Sequence, residues 1–351
     1  MKKNITLMLL VLILLSCQHK PKSLHEAFKK TEVLVYQNSI NSSNYLMGSP
    51  GKMLLVDSFL ITLDYTGKHF FHLFNIDKNE YLGNWGAKGQ GPQDFLHPTA
   101  PLYLSSHDFL SYDMLDKSLK RISIDAMKKG EVKYLEALSF NSLSHISILP
   151  AKDNNYLGFG LYESNMFKII NAEGEEVGSF IDFPLEESKN KKDISNRNLA
   201  MAYQGSFAVS PNKNKFVYVA LNGTVLGIYN INNNSIEQDF LLAYDYPQFT
   251  TDNSNGGVSS PLTKESICGF LDVYVTDKYI YALYCGNNIS ELKQKAFESK
   301  DIYVFDWAGH PVMHYSLDIP INNIAVSFNN KKIYAIGLNP EPTLVEYEIN
   351  L

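Results

Sequence analysis

The chain has 351 residues, a hydrophobic content of 45% and a formal net charge of −6 at pH 7. This hydrophobic content supports a folded core and excludes a wholly disordered chain, and the negative charge without a long basic cluster argues against nucleic-acid binding. Tyr and Phe are abundant, at 22 and 20 residues against 2 Trp, a bias that favours β structure.

The first residues predict an export signal. Lys2 and Lys3 precede an apolar run over residues 5–15, which is too short to span a bilayer and fits the hydrophobic region of a signal peptide. The segment Leu14-Leu15-Ser16-Cys17 resembles the lipobox of bacterial lipoproteins, in which the cysteine receives the lipid. We predict a signal peptide over residues 1–16 and a lipid on Cys17; an ordinary secretory signal with a chance cysteine is the alternative.

The next residues predict a membrane tether. Residues 17–30 are expected to form a lipidated tether and a short helix, followed by a single domain over residues 31–351. The tether lacks the acidic run that marks surface-exported lipoproteins in some bacteria, and Gln18 replaces the Asp that resembles an inner-membrane retention signal in others. We expect a lipid anchor in the outer membrane, with the protein on the periplasmic face rather than the cell surface.

Short apolar or alternating segments between turn signals predict an all-β fold. A recurring strand with Tyr or Phe, Ile and a closing Asp or Asn serves as the third strand of five units between about residues 46 and 318, a spacing typical of four-stranded propeller blades. The five third strands are His72–Asp77, Leu119–Asp125, Phe167–Asn171, Gly227–Ile231 and Asp301–Asp306. Polar segments at residues 186–198 and 250–266 are expected to be loops.

The ends of the domain predict how the ring closes. The sixth unit, residues 319–351, has only three strands, and a spare strand, Glu32–Tyr36, precedes the first unit. Pairing the spare strand with the outer edge of the last blade removes an unpaired edge. We predict a six-bladed β-propeller of four-stranded antiparallel blades, whose last blade is closed by the N-terminal strand. Seven blades is the alternative.

Two cysteines besides Cys17 lie on a predicted hairpin with its turn at Asp277-Lys278. A two-residue turn places Cys285 opposite Phe270 and diagonal to Cys268, near the upper limit of the Cα separation that a disulfide allows. A disulfide between Cys268 and Cys285 is one reading in an oxidising compartment. This register favours two buried thiols that are not bonded to each other.

A glycine-rich segment precedes the second unit. We predict positive φ at Gly86, Gly89 and Gly91, a fixed φ at Pro92, and Phe95 between adjacent blades. A phosphate cradle would require a helix N-terminus after the glycines, which the sequence does not predict.

The same segment resembles the G-x-G-x-G-P-G-E-F signature of six-bladed propellers, with Gln93-Asp94 in place of Gly-Glu. Together with the lipobox and the Tyr279–Gly286 strand, it makes the chain similar to the TolB-like six-bladed propeller lipoproteins. The resemblance covers residues 17–351 and implies no established activity.

Motifs for metal or cofactor chemistry are missing from the sequence. No spacing of His, Cys and acidic residues resembles a zinc site. Calcium could bind oxygen ligands in a propeller channel, but no motif identifies such ligands, and no other cofactor is predicted. Aspartates at strand ends and turns are expected to accept backbone N–H groups; these are Asp57, Asp64, Asp77, Asp125 and Asp306.

The start of the fourth unit carries the candidate ligand-binding residues. Arg197 could project into the central channel and bind an anion, with a surface salt bridge as the alternative, and Tyr203 and Gln204 could line the same mouth. The segment around Ser206 lacks the second glycine of a nucleophile elbow, and no catalytic residue is assigned.

We predict a membrane-tethered, non-enzymatic binding or scaffolding module for a protein, peptide or glycan. A periplasmic hydrolase or lyase that acts on a sugar or anionic substrate in the channel is the alternative. Converging charged side chains in the channel would favour the enzyme, and apolar walls with exposed aromatic residues on one rim would favour binding.

Overall fold

The structure, a computed structural model, describes residues 22–40, 45–131, 134–140, 144–187, 193–232, 234–252, 254, 257–338 and 340–351. The predicted signal peptide and Cys17 lie outside the described residues. Within the ranges described, none of the helices has the length and apolar character needed to cross a bilayer.

The described strands form six blades, as the sequence predicts. Before the blades come α1 (Leu24–Ala27), β1 (Thr31–Leu34) and β2 (Asn38–Ser39). Blade one contains β3 (Pro50–Val56), β4 (Phe59–Asp64), β5 (His69–Asn75) and β6 (Glu80–Ala87). Blade two contains β7 (Leu102–Tyr103), β8 (Asp108–Asp113), β9 (Ser118–Ser123), α2 (Ile124–Met127) and β10 (Tyr134–Ser139). Blade three contains β11 (His145–Pro150), β12 (Tyr156–Gly160), β13 (Phe167–Ile170) and β14 (Glu176–Phe180).

Blades four to six follow a helix, α3 (Asn196–Ala202). Blade four contains β15 (Gly205–Val209), β16 (Lys215–Ala220), β17 (Val225–Asn232) and β18 (Ser235–Ala243). Blade five contains β19 (Ile267–Val275), β20 (Tyr279–Asn288), α4 (Ile289–Leu292) and β21 (Ser299–Asp306). The remaining strands are β22 (Pro311–Val326), β23 (Lys332–Leu338) and β24 (Pro342–Glu348). Short 3-10 turns occur at Lys152–Asn154 and Lys293–Phe297.

All five predicted third strands occupy the third position of a blade, as β5, β9, β13, β17 and β21. These strands are buried along most of their length because each blade packs between two neighbours, and β5, β17 and β21 accordingly contain apolar runs. The predicted loop at residues 186–198 is only partly a loop, since α3 begins at Asn196. The Ser195 hydroxyl accepts from the Asn198 backbone N–H and caps the helix.

A single long strand joins the last two blades. The first half of β22 is the outer strand of blade five, and its second half is the inner strand of blade six. The N-terminal segment closes the ring, because β2 pairs with β24 on the outer edge of blade six. The predicted closing strand was Glu32–Tyr36, but β1 instead pairs in parallel with the blade-five half of β22, through Thr31↔His314 to Leu34↔Leu317. Leu34 is buried there among residues of blades five and six.

The core is divided among the blade interfaces. Six clusters of buried apolar side chains lie between blades one and two, two and three, three and four, four and five, five and six, and six and one. Leu24 and Phe28 of the N-terminal segment belong to the cluster between blades four and five. Six interfaces that return to blade one describe a closed ring of six blades, and they exclude the alternative of seven.

Two aspartates at the ends of second strands fix the connections between blades. Asp64 accepts from the backbone N–H groups of Gly48 (2.9 Å) and Ser49 (3.1 Å). Asp113 accepts from those of Leu96 (2.6 Å) and His97 (2.9 Å). This end of the ring, where chains pass from one blade to the next, is called the crossover face. The opposite end, where first strands turn into second strands, is called the turn face.

The glycine-rich segment differs in part from its prediction. Gly86 has a φ of +73°, as expected, but Gly89 and Gly91 do not have positive φ. Their lack of a side chain serves another purpose, because a Cβ at either position would collide with the Asp94 carboxylate. That carboxylate accepts from the Gly91 backbone N–H at 2.9 Å. The Asp94 N–H in turn donates to the Gly91 carbonyl at 2.9 Å, which closes a tight turn with Pro92 at its second position.

Phe95 lies fully buried between blades one and two. Its ring is 5.2 Å from that of Phe71 in blade one and 5.4 Å from that of Tyr134 in blade two. Lys120 donates to the Asp94 carbonyl at 2.6 Å and lies 4.5 Å from the centre of the Phe95 ring. The glycine-rich segment therefore has a structural part in joining two blades.

Candidate functional site

A cavity of about 960 Å³ opens at the turn face of the central channel. We call it the turn-face cavity. Every blade contributes to its wall, because the first strands line the channel side by side. Representative lining residues, one from each blade in order, are Leu55, Tyr103, Pro150, Phe207, Tyr274 and Phe328. The wall is thus largely apolar and aromatic, which is the usual character of a ligand-binding cavity.

Two aromatic side chains stand exposed at the rim of this cavity. Phe328 is 70% exposed and Tyr103 is 49% exposed. They belong to blades six and two, which flank blade one. Large apolar side chains that remain in water at the mouth of a cavity are characteristic of interaction sites.

The turn that carries Phe328 is held rigidly from below. Asn330, buried and with a φ of +58°, accepts hydrogen bonds from the Thr276 hydroxyl (2.8 Å) and the Tyr281 hydroxyl (3.0 Å). Its amide nitrogen donates to the Phe328 carbonyl at 3.3 Å. The exposed ring is therefore presented by a backbone that blade five fixes in place.

An ion pair crosses the channel at the floor of the cavity. The Lys52 ammonium group of blade one donates to the Asp272 carboxylate of blade five and to the Ser206 hydroxyl of blade four. The Asp272 carboxylate also accepts from the backbone N–H groups of Val273 (2.7 Å) and Ile324 (3.0 Å). The side chain of Asp272 is 2% exposed, whereas that of Lys52 is 26% exposed.

A second cavity of about 180 Å³ lies on the other side of Lys52. Lys52 and Phe207 line both cavities and so form the partition between them. Ser206 lines the smaller cavity and Asp272 the larger one, which places the Lys52 ammonium group between the two.

Tyr274 adds a hydrogen-bond donor to the wall of the turn-face cavity. Burial raises the pKa of its hydroxyl to about 12. The hydroxyl oxygen accepts from the Leu55 backbone N–H at 3.4 Å. The group therefore remains protonated at neutral pH and can donate to a ligand in the cavity.

The three residues predicted at the channel mouth do not meet there. Gln204 lines the smaller cavity, beside Lys52. The Tyr203 side chain is fully buried between blades three and four and donates to the Pro184 carbonyl, so it has no surface with which to line a channel. Arg197 is half-buried on α3, outside the linings of both cavities. Since α3 precedes blade four on the crossover face, its side chains are separated from the turn-face cavity.

The two described cysteines are free thiols. The predicted register holds from Val275 to Asp272, but Phe270 then pairs with Tyr284 instead of Cys285 because β19 bulges at Leu271. Gly286, with a φ of +68°, accommodates a bulge in β20. A hydrogen bond to Cys268, followed by burial, raises the pKa of the Cys285 thiol, which keeps the thiol protonated and unreactive.

The described residues contain no group of three or more His, Cys, Asp or Glu side chains arranged to hold a metal ion. Predicted strand-end aspartates instead accept hydrogen bonds from nearby groups. Asp306 accepts from the backbone N–H groups of Ala308 and His310, both at 2.9 Å, and Asp77 accepts from the Ser58 hydroxyl.

Sequence reasoning missed Lys52, Asp272 and Phe328. Each had a local signal: Lys52 and Asp272 are charged residues inside strands that are otherwise mostly apolar, and Phe328 is an aromatic residue within a polar turn. A charged residue in a buried strand requires a partner, but the sequence alone does not identify that partner.

The match to a protein-family model agrees with this architecture. A family model described as TolB-like 6-blade propeller-like matches residues 27–329. No match was found among curated proteins. Among solved structures, a Bacteroides fragilis NCTC 9343 protein named "Putative exported protein" is 11% identical with a TM-score of 0.55, over 92% of this chain and 100% of that one. The β-propeller domain of Myceliophteria thermophila Cps50 (Swd1) is 9% identical with a TM-score of 0.49, over 90% of this chain and 100% of that one.

Proposed function

The chain belongs to the TolB-like six-bladed propeller family. We propose that it is a membrane-tethered, non-enzymatic binding module whose partner occupies the turn-face cavity. The partner is a protein, peptide or glycan that offers an apolar or aromatic face. The observation that carries the proposal is a cavity of about 960 Å³ that all six blades line. Its size and apolar lining match those of small-ligand sites, which range over about 300–1,000 Å³.

The rim supports binding of a partner larger than the cavity. Phe328 and Tyr103 line the mouth of the cavity and are 70% and 49% exposed, so a ligand confined to the cavity would cover only part of each ring. Aromatic side chains on a rigid support contribute strongly to binding because little conformational entropy is lost when they are covered. The hydrogen bonds of Asn330 to blade five provide that support for Phe328.

The floor of the cavity argues against the enzyme alternative. Ser206 and Lys52 resemble a nucleophile and its base, but Lys52 is the donor of an ion pair with Asp272 and is not a free amine. Ser206 is 5% exposed and its hydroxyl already contacts both Lys52 and Asp272. An activated serine needs a base that can take its proton, and Lys52 is already held by Asp272.

The tether would hold the ring close to the membrane. Leu24 and Phe28 are packed between blades four and five, so a lipid on Cys17 is separated from the folded ring by residues 18–23 alone. Six extended residues span at most about 20 Å. The B. fragilis protein of similar fold is named an exported protein, which is consistent with our proposal of a lipid anchor on the periplasmic face of the outer membrane.

A neutral aromatic probe tests whether the turn-face cavity binds ligands. N-phenyl-1-naphthylamine fluoresces on entering an apolar site, and we expect saturable binding to the full-length protein. Phe328→Ser is expected to weaken binding by about five- to thirty-fold, equivalent to a loss of about 1–2 kcal/mol. Leu115→Ser is the matched control, because Leu115 is 63% exposed on a turn at the crossover face. Equal affinities of the two variants and the wild type would overturn the proposal.

A further inference from the structure

The turn-face cavity presents a cation at its floor and apolar surface along its walls. Of the two charged groups in the ion pair, Lys52 has the accessible side chain, at 26% exposed against 2% for Asp272. The carboxylate is enclosed by donors: Lys52, the Ser206 hydroxyl at 3.4 Å, and the backbone N–H groups of Val273 and Ile324. A ligand that reaches the floor therefore meets the exposed side chain of Lys52, beside a carboxylate that is nearly buried and already occupied by donors.

The ammonium group of Lys52 keeps a donor for such a ligand. A lysine ammonium carries three N–H donors, and the hydrogen bonds found here use two of them, to Ser206 and Asp272. The Tyr274 hydroxyl supplies a further donor from the wall of the same cavity. Both groups favour a ligand whose inserted end is an acceptor, and an anion forms the stronger hydrogen bond with an ammonium group.

The rim does not reverse this preference. Its lysines, Lys213 and Lys331, are matched by two aspartates, Asp57 and Asp77; all four line the cavity, and all except the half-buried Lys213 are exposed. Lys332 is paired with Glu346 at 2.9 Å. The mouth therefore carries little net charge. Lys52 at the floor favours a ligand whose deeply inserted end is negatively charged.

We propose that the turn-face cavity binds the C-terminus of a partner polypeptide whose last residues are apolar, with the terminal carboxylate on Lys52. This inference rests on the proposed function and names the part of the partner that enters. A polypeptide C-terminus joins apolar side chains to a carboxylate at the end of a narrow chain, which fits apolar walls above a cationic floor. The remainder of the partner then covers Phe328 and Tyr103 at the rim, which a free fatty acid would leave exposed.

The test uses the displacement of bound N-phenyl-1-naphthylamine by a matched pair of peptides. The pair is acetyl-Gly-Ser-Leu-Phe-Leu with a free carboxylate and the same peptide with a C-terminal amide. We expect the acid to bind about tenfold more tightly than the amide, the loss expected for one charge-assisted hydrogen bond. Decanoate is the third ligand and is expected to bind more weakly than the peptide acid, because it cannot cover the rim.

The matched protein variant has no charged side chain at the floor of the cavity. Lys52→Met alone would leave Asp272 buried without its counterion, so the variant of choice is Lys52→Met with Asp272→Asn, in which the Asn side chain still offers an acceptor to the backbone. We expect this variant to bind the acid and the amide equally, with each peptide compared against the variant's own affinity for N-phenyl-1-naphthylamine. Lys52→Arg, which keeps the charge, is expected to retain the preference for the acid.

The outcomes separate the two proposals. Equal binding of acid and amide to the wild type would overturn the assignment of Lys52 to a carboxylate, while bound N-phenyl-1-naphthylamine would leave the proposed function standing. Tighter binding of decanoate than of the peptide acid would overturn the assignment of the ligand to a polypeptide. Failure of the wild type to bind N-phenyl-1-naphthylamine at all would overturn the proposed function itself.

Discussion

The Lys52 ammonium group of blade one donates to the Asp272 carboxylate of blade five, across the central channel and 220 positions away in the sequence. This ion pair connects two blades that do not share an interface, and it separates the two cavities of the channel. It is therefore both a bond across the ring and the floor of the proposed binding site.

The first prediction concerns the energetics of this ion pair. Removal of one partner leaves a charge that is partly or fully buried, so Lys52→Met and Asp272→Asn should each lower the free energy of unfolding by about 3 kcal/mol. The double variant should be more stable than the sum of the two effects predicts, by about 1–3 kcal/mol, because neither charge is left unpaired. Urea unfolding of all four proteins measures this coupling, and additive effects would show that the two groups do not interact.

The second prediction concerns the turn under Phe328. Asn330→Ala should lower the free energy of unfolding by about 1–3 kcal/mol, because the Thr276 and Tyr281 hydroxyls lose their acceptor in a buried site. The neighbouring Asn329→Ala is the control: Asn329 is exposed, and we expect a change within about 0.5 kcal/mol. Equal effects of the two substitutions on thermal unfolding would contradict the role assigned to Asn330.

The third prediction compares the stability cost of substituting two glycines in the segment between blades one and two. Gly86→Ala should cost about 1–3 kcal/mol, because the residue has a φ of +73° and a Cβ would lie 2.7 Å from the Phe71 ring. Gly89→Ala should cost less, since its Cβ would meet only the movable Asp94 carboxylate and its φ is not positive. Unfolding by denaturant ranks the two variants, and a larger cost at Gly89 would show that the carboxylate turn, not the φ of Gly86, limits the segment.

The sequence predicted the repeating parts of this molecule because local signals encode them. Third strands such as β17 are recognisable as apolar runs closed by a turn, whatever they later pack against. The partner of Lys52 could not be predicted, because no local pattern shows which residue of another blade lies opposite it across the channel. The pairing of Cys285 shows the same limit on a smaller scale, since one bulge at Leu271 changes which residue faces Phe270.

The fourth prediction concerns acid stability. Burial, with a contribution from the charge of Lys117, lowers the pKa of His145 to about 4, and burial likewise lowers that of His72 to about 4. The unfolded chain binds protons at these residues below about pH 6.5, whereas the folded chain does not until about pH 4. Their neutral state therefore contributes stability that is complete above pH 6.5 and is lost as the pH falls towards 4.

Urea unfolding at several pH values between 7.5 and 4.5 measures this dependence. Replacement of both histidines by Asn should flatten the curve within that window. A double variant whose stability falls with pH as steeply as that of the wild type would assign the acid sensitivity to other groups.

Site-specific photocrosslinking on membranes tests the central claim, that a partner occupies the turn-face cavity of a tethered ring. p-Benzoylphenylalanine would replace either Phe328 or Leu115 in the full-length chain, each with and without Cys17→Ala. We expect a discrete crosslinked product from position 328 that is missing from position 115 and is reduced when Cys17→Ala releases the protein from the membrane. Products of equal yield from both faces, or from position 115 alone, would contradict it.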